Sequence, residues 1–292
     1  MNSNITTFEQ LKNESLKNNK TIYELAQENM AYDGDITVEE VRRFTKQTLF
    51  AMKEAIVVGK NSSELSLSKM CGTDCKKLQD RFKNSSSLFG KTFENIITFA
   101  IATSEENIRM GKIVACPTAG SCGILPSTLV AVSNELNISE ENQINALITA
   151  GEIGRIISNK IALAGAVAGC QAECGVASAM SAAAICQIKG GNIEQILNAV
   201  ALSLKNILGL TCDPVAGLVE VPCVKRNAFM AIHSITAVEL ALAGIESKIP
   251  LDEVVDAMEQ TGALMSPTLK ESSQAGLAQT PTALKVQKEI FG

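Results

Sequence analysis

Apolar and polar side chains recur along the first third of the chain with the spacing of amphipathic helices. Within 41–56, apolar residues return every three or four positions. Two pairs, Thr21 with Glu24 and Thr37 with Glu40, have the capping-box spacing, in which a hydroxyl and a carboxylate satisfy free N–H groups at a helix start. We therefore predict a series of polar, capped helices before residue 112.

Beyond residue 112 the chain becomes rich in Gly, Ala and Cys, but helical signals continue. Period-two alternation, which is typical of strands, is rare. We predict an all-α fold, a single compact helical domain over 1–292 with a candidate internal boundary near residue 112. The tail, 266–292, is predicted to be an ordered loop with a short helix. The other helices predicted in this part are 139–157, 192–204, 229–243 and 251–264.

Three segments break this helical pattern. Segment 113–127 contains two prolines and two glycines, 161–186 is rich in small residues, and 207–228 is punctuated by Pro214 and Pro222. Such breaks expose backbone polar groups that need partners, and they allow side chains to converge on a ligand. Each break carries a pair of cysteines, Cys116 with Cys122, Cys170 with Cys174 and Cys212 with Cys223, and the second segment also ends at Cys186.

The composition excludes several classes of protein. Of the 292 residues, 46% are hydrophobic and 20% charged, so the chain can bury a large core and is not disordered. A net charge of −5 and an aromatic content of 4% argue against nucleic-acid binding, which uses basic patches and stacking platforms. The single histidine, His233, excludes a metal site built from several histidines.

The N-terminus and the cysteine content indicate the compartment. Residues 1–20 are polar, and no apolar run approaches the roughly 18–20 residues of a membrane span. We therefore predict a cytoplasmic protein that does not bind a membrane. Because cytoplasmic thiols stay reduced, the nine cysteines point to metal binding, catalysis or burial, and not to a disulfide framework.

The spacing of the cysteines leaves three interpretations open. Zinc ligands often occur as close pairs, and both Cys71/Cys75 and Cys170/Cys174 have three residues between them. An iron–sulfur cluster accepts dispersed cysteines, and its ligands often lie beside Gly or Pro, as Cys212 lies near Pro214 and Cys223 next to Pro222. The third interpretation is buried thiols without a metal. Spacing alone does not decide between the cluster and the buried thiols.

Longer motifs give a family resemblance. Segments PTAGSCGILP (117–126), GCQAECGVASAMSAAA (169–184) and GLTCDPVAGLVEVPCVKRNA (209–228) closely resemble the α chain of bacterial iron–sulfur L-serine dehydratases. The resemblance implies an all-helical chain of the two-chain enzyme type, completed by a separate β chain in a homo- or hetero-oligomer. It also implies a [4Fe-4S] cluster held by Cys170, Cys212 and Cys223, without pyridoxal phosphate.

The resemblance also implies a reaction. Three cysteine ligands leave one iron open to act as a Lewis acid on the hydroxyl of L-serine, and loss of water then leads to pyruvate and ammonia. The segment Thr118, Ala119, Gly120 and Ser121 resembles the family's substrate-binding loop, where backbone N–H groups and small hydroxyls hold a carboxylate.

One segment departs from the family pattern. The family reads Asn-Ala-Ser-Ile-Ser-Gly where this chain reads Lys-Ile-Ala-Leu-Ala-Gly at 160–165, so polar groups close to the cluster in sequence are lost. Two alternatives stay open: a lyase for another substrate, such as L-cysteine or L-threonine, or a cluster-binding paralogue without catalysis. Lys160, as a partner of the substrate carboxylate, and His233, as a base, are the candidate catalytic residues. The β chain is an alternative source of the base.

Overall fold

The computed structural model describes residues 5–292, and within that range it contains thirteen α-helices and no β-strand. The predicted all-α class is confirmed. A single isolated bridge joins Cys212 to Lys270. The helices are α1 (Phe8–Asn18), α2 (Ile22–Asp33), α3 (Val38–Asn61), α4 (Asp74–Asn84), α5 (Gly90–Ile108), α6 (Ile124–Glu135), α7 (Glu140–Ser158), α8 (Gly165–Ala168), α9 (Val176–Ile188), α10 (Ile193–Lys205), α11 (Cys223–Leu242), α12 (Leu251–Leu264) and α13 (Pro281–Phe291).

Both predicted capping boxes form. At the start of α3 the Glu40 N–H donates to Thr37 Oγ1 at 3.1 Å, and the Thr37 N–H donates to Glu40 Oε2 at 3.0 Å. The same exchange occurs between Thr21 and Glu24 at the start of α2. These reciprocal bonds satisfy N–H groups that have no partner within the helix, which is why short local motifs fix helix starts in this chain.

Helix α11 begins at Cys223, six residues before the predicted start at 229. The prediction treated Pro222 as part of an irregular segment. In the structure Pro222 is the N-cap residue of α11. A proline at this end disrupts nothing, because the first N–H groups of a helix have no intrahelical acceptor. Consequently Cys223 lies in the first turn of a long helix and not in a loop.

Helix α9 lies at the centre of the molecule and is buried along most of its length. It packs against α6, α7, α10 and α11. Several of its side chains are alanines with no exposed surface, and small side chains let neighbouring backbones approach closely. The surrounding core draws residues from both sides of residue 112. No helix in the described part of the chain is long and apolar enough to cross a membrane.

A close contact between α3 and α5 gives a stability prediction. Gly59 of α3 faces α5, and a Cβ atom at Gly59 would lie 2.1 Å from the carbonyl oxygen of Ala102. Because backbone atoms must then move, we expect Gly59→Ala to lower the free energy of unfolding by about 2–3 kcal/mol in urea titrations. Gly151→Ala in α7 is the matched control: its Cβ would meet only Met30 Cε, at 3.5 Å. That variant should be unchanged or about 0.5–1 kcal/mol more stable, and equal losses in both variants would contradict the packing account.

Candidate functional site

The three irregular segments meet around one small cavity of about 30 Å³. The three cysteines predicted as cluster ligands all line it, together with a fourth cysteine and two glutamates. Its full lining is Gly120, Cys170, Glu173, Cys174, Cys212, Pro214, Val219, Cys223 and Glu271. The structure thus has a cysteine-rich potential metal site at the place where the helical pattern breaks.

The first segment contributes a single 3-10 turn, Ala119–Ser121. Of the four predicted substrate-binding residues, only Gly120 lines the cavity. The hydroxyls of Thr118 and Ser121 lie 3.1 Å apart and hydrogen-bond to each other. A Cβ atom at Gly120 would lie 3.2 Å from Val219 Cγ1, so the absence of a side chain keeps space at this wall. A substrate-binding role for Thr118, Ala119 and Ser121 stays a prediction.

The second segment brings two thiols together through a change of helical pitch. Gly169 has φ 77°, a left-handed conformation that glycine adopts without strain. The chain then forms a π-helical turn over Gln171–Gly175. Cys170 and Cys174 lie on one side of this turn, with 3.4 Å between their sulfur atoms. Single π-helical turns are frequent at functional sites.

The third segment is fixed by the C-terminal part of the chain. The Cys212 N–H donates to the carbonyl of Leu269 at 2.9 Å, and the Glu271 N–H donates to the carbonyl of Cys212 at 2.7 Å. These two bonds hold the backbone of Cys212 from both sides. They also bring the side chain of Glu271 to the cavity, although it lies far from the cysteines in sequence.

Asn227, on the first turns of α11, ties the first segment to Cys223. Its Nδ2 group donates to the carbonyl of Gly120 at 2.8 Å and to the carbonyl of Cys223 at 2.9 Å. Its Oδ1 accepts from the N–H of Gly123 at 2.9 Å. Asn227 is 1% exposed, so all three bonds are made away from water. One amide thereby fixes the distance between the turn and the helix start.

Arg226 holds the loop that carries Cys212. Its guanidinium donates to the carbonyl of Thr211 at 3.1 Å and reaches Asp213 Oδ1 at 3.5 Å. The other oxygen of Asp213 accepts from the N–H of Leu277 at 2.8 Å. Asp213 therefore links α11, through Arg226, to the C-terminal segment.

The thiols of the cavity differ in proton affinity. The pKa of Cys170 is held well below its usual range because the thiol of Cys174, and then that of Cys212, donates to it, with help from the positive charge of Arg226. The same contacts raise the pKa values of Cys174 and Cys212. Burial raises the pKa of Cys223 to about 12. One thiolate accompanied by protonated thiols is a site that releases protons when it binds a metal.

Glu173 lines the same cavity as the thiols, and its pKa is shifted as well. Burial, followed by the nearby negative charge of Cys170, raises its pKa to about 7. Its Oε2 lies 4.0 Å from the sulfur of Cys212. The spacing in the sequence was sufficient to predict a position near Cys170 for Glu173. In a helix, a residue three positions after another lies on the same face. For Glu271 the sequence carried no signal.

The two candidate catalytic residues lie outside the cavity. Lys160 Nζ pairs with Asp256 Oδ1 at 2.5 Å, and His233 Nε2 lies 2.8 Å from the carbonyl oxygen of Ser203. Neither side chain belongs to the cavity lining. The segment 160–165 nevertheless reaches the site through Gly165, where a Cβ atom would lie 2.5 Å from Glu173 Oε2. Catalytic roles for Lys160 and His233 stay predictions without a contact at the cavity.

A larger cavity, of about 720 Å³, lies against another face of α11. It is lined mainly by apolar side chains, including Phe93, Ile97 and Phe229, and contains no cysteine. The chemistry of the lining residues, and not the size of the space, therefore identifies the candidate site.

Known proteins with similar sequences are serine dehydratases. The family model described as "Serine dehydratase alpha chain" matches residues 10–278. The chain is 44% identical over 286 residues to "Probable L-serine dehydratase, alpha chain" of Bacillus subtilis, covering 94% of this chain and 95% of that protein. It is 40% identical over 270 residues to "L-serine dehydratase, alpha chain" of Peptoniphilus asaccharolyticus, covering 92% of each. It is 41% identical over 187 residues to "L-serine dehydratase" of Streptomyces coelicolor, covering 63% of this chain and 41% of that protein.

The buried amide of Asn227 gives a direct test of how the site is held. In Asn227→Ala three backbone groups lose their partner in a dry environment, so we expect the free energy of unfolding to fall by about 3 kcal/mol. Asn18→Ala is the control, because the amide of Asn18 is exposed and contacts only Glu14 of its own helix. The control should change by less than about 0.5 kcal/mol in the same urea titration. A similarly small change in Asn227→Ala would show that the amide does not hold the turn.

Proposed function

The chain belongs to the serine dehydratase alpha chain family, and from that membership we propose that it is the α chain of an L-serine dehydratase that forms pyruvate and ammonia. Loss of the α-proton and the β-hydroxyl, as water, gives 2-aminoacrylate, which tautomerises to an imine and hydrolyses. One structural observation supports the proposal independently of the relatives' names: Cys170, Cys212 and Cys223 line the same cavity.

We propose further that these three thiols hold a [4Fe-4S] cluster. The donors fit: cysteine thiolates are the ligands of such clusters, and Cys170 has a depressed pKa before any metal binds. The fit rests on donor chemistry and not on volume, because the thiols hydrogen-bond to one another and leave space for about one water molecule. When bound, the cluster supplies an iron without a protein ligand, a Lewis acid for the substrate hydroxyl.

The residues around the thiols have supporting roles in this proposal. The thiol of Cys174 shares a hydrogen bond with that of Cys170, with 3.4 Å between the sulfur atoms, and hydrogen bonds to ligand sulfurs tune a cluster. Arg226 fixes the loop of Cys212 through Thr211 and Asp213. The turn at Gly120 is the proposed contact for the substrate carboxylate, because its backbone forms one wall of the cavity. Burial of the thiols excludes bulk water from the site.

A separate β chain completes the proposed enzyme. Two relatives are named alpha chains, and the Streptomyces protein named "L-serine dehydratase" is much longer than the region that matches this chain. Lys160 and His233 are held outside the cavity. The proposal therefore leaves removal of the α-proton to a group that the β chain brings to the cavity mouth, in a cytoplasmic hetero-oligomer.

Anaerobic reconstitution with iron and sulfide, in the presence of the β chain, tests both proposals. The wild-type chain should bind the cluster and release pyruvate from L-serine. Cys170→Ser, Cys212→Ser and Cys223→Ser should each lose iron and activity together, because each removes a ligand. Cys186→Ser is the matched control, since Cys186 is fully buried in α9 and does not line the cavity. It should keep both properties.

The variant Cys174→Ser distinguishes a cluster with three cysteine ligands from a cluster with four. Because Cys174 serves only as a hydrogen-bond donor in the proposal, this variant should keep its iron and most of its activity. Loss of iron would mean that four cysteines bind the cluster, so that no iron is open to the substrate. A fully loaded wild-type enzyme that does not convert L-serine would overturn the proposed reaction.

A further inference from the structure

The large apolar cavity against α11 is formed by three helices and has no part in the proposed reaction. Its volume of about 720 Å³ lies within the range of about 300–1,000 Å³ that is typical of small-molecule sites. Helix α5 contributes Phe93, Ile97 and Ile101, which recur every four residues and so lie on one helix face. They span about 12 Å along the helix axis. The cavity therefore offers a ligand an extended apolar surface.

Charged side chains line the same cavity, and positive charge exceeds negative charge. The cations are Lys77 and Arg81 of α4 and Lys225 of α11, and Asp74 is the acidic residue of the lining. Lys77 Nζ lies 2.8 Å from Asp74 Oδ1, and Lys225 Nζ lies 2.6 Å from Asp74 Oδ2. Arg81 donates to the backbone carbonyl of Ser85 at 3.0 Å. One carboxylate thus serves two lysines, and the lining has a net charge of +2, three cations less one carboxylate.

The two lysines lie at one end of the apolar surface. Ile101 packs in one hydrophobic cluster with Cys75 and Val224. Cys75 follows Asp74 in α4, and Val224 precedes Lys225 in α11. The paired charges therefore lie at the Ile101 end, and the apolar face of α5 extends away from them. A ligand with one charged end and one apolar end matches this order.

The positive charge disfavours a second copy of this chain as the occupant. In a twofold contact the same patch meets itself, so the cations of both copies would face one another. The proposed β chain acts at the cysteine-lined cavity, which lies on the other side of α11, because Ile232 follows Cys223 by about two and a half turns. A small anionic ligand with an apolar body satisfies both the charge and the surface of the lining.

We propose that this cavity binds an amphiphilic carboxylate, of the class of medium-chain fatty acids. The alkyl chain lies on the α5 surface, where its burial supplies most of the binding free energy. The carboxylate binds at Lys77 and Lys225 in charge-assisted hydrogen bonds, so that the two lysines no longer share a single carboxylate. An extended chain advances roughly 1.2 Å per bond, so decanoate matches a surface of about 12 Å.

Isothermal titration calorimetry of the full chain with decanoate, kept below its micelle concentration, tests the proposal. One saturable site is expected. Decyltrimethylammonium has the same alkyl chain and the opposite charge, and it should bind at least about 10-fold more weakly because it meets cations. Equal affinity for both amphiphiles would overturn the assignment, since the cavity would then select only for apolar surface. Decanoate binding that does not saturate would overturn it as well.

The charged wall is tested by the double variant Lys77→Gln with Arg81→Gln, which removes the excess charge and should raise the Kd of decanoate by about 10-fold. Lys76→Gln with Lys83→Gln is the matched control, because both lysines are exposed on the same helix and neither lines the cavity. The control should leave the Kd unchanged. An equal rise in both double variants would mean general attraction to a positive surface, and no rise in either would place decanoate elsewhere. Both results would overturn the proposal.

The apolar wall is tested by Phe229→Ser. Phe229 is 72% exposed, so its removal spares the core, and the Kd of decanoate should rise by about 10-fold. Phe50→Ser on α3 is the control, since Phe50 is 66% exposed and does not line the cavity. It should not change the Kd. Equal effects of the two serine variants would contradict a site at this wall.

The titration is repeated with the β chain bound, to identify the occupant in the assembled enzyme. Decanoate should bind with the same Kd. Loss of binding would overturn the proposal in favour of a docking surface for the β chain. Neither a cluster nor L-serine is needed in these titrations, so a negative result overturns the fatty-acid site and leaves the proposed function intact.

Discussion

The geometry of the thiol cavity depends on hydrogen bonds from two adjacent side chains of α11. Asn227 binds the turn of the first segment and the carbonyl of Cys223, and Arg226 binds the loop of Cys212. Both side chains are largely buried, so their bonds do not compete with water. These side chains supply hydrogen-bond partners for the carbonyl groups of Gly120 and Thr211, in the first and third irregular segments. One helix start supplies both, and it carries Cys223 as well.

This arrangement has an energetic consequence for cofactor binding. Cys170 is stabilised as a thiolate by neighbouring thiols, while burial keeps Cys223 protonated at neutral pH. Binding of iron must therefore displace protons from the remaining ligands, so cluster assembly becomes more favourable as the pH rises. It is also coupled to the folding of the three segments that carry the ligands. The surrounding helices do not share this dependence. Their core is built from small aliphatic side chains packed around α9, and it needs no metal to form.

Much of the fold could be predicted from the sequence because its determinants are local. The capping box of Thr37 and Glu40 correctly predicted the start of α3, and the predicted bounds of α12 agree with the structure. The start of α11 was predicted six residues late, because a proline looks the same at an N-cap as in a loop. At the site, motif resemblance drew attention to three cysteines. Glu271 could not be predicted, since only the long-range backbone bonds at Cys212 bring it there, and the ion pair of Lys160 with Asp256 is equally non-local.

In the proposed enzyme, three cysteines of this chain hold a cluster with one iron open to the substrate. Mössbauer spectroscopy of the iron-57-loaded enzyme, recorded before and after addition of L-serine, tests this most directly, because each iron reports its own ligands. One of the four irons should differ from the rest, and its signal alone should change when L-serine binds. Four equivalent irons that do not respond to L-serine would contradict it.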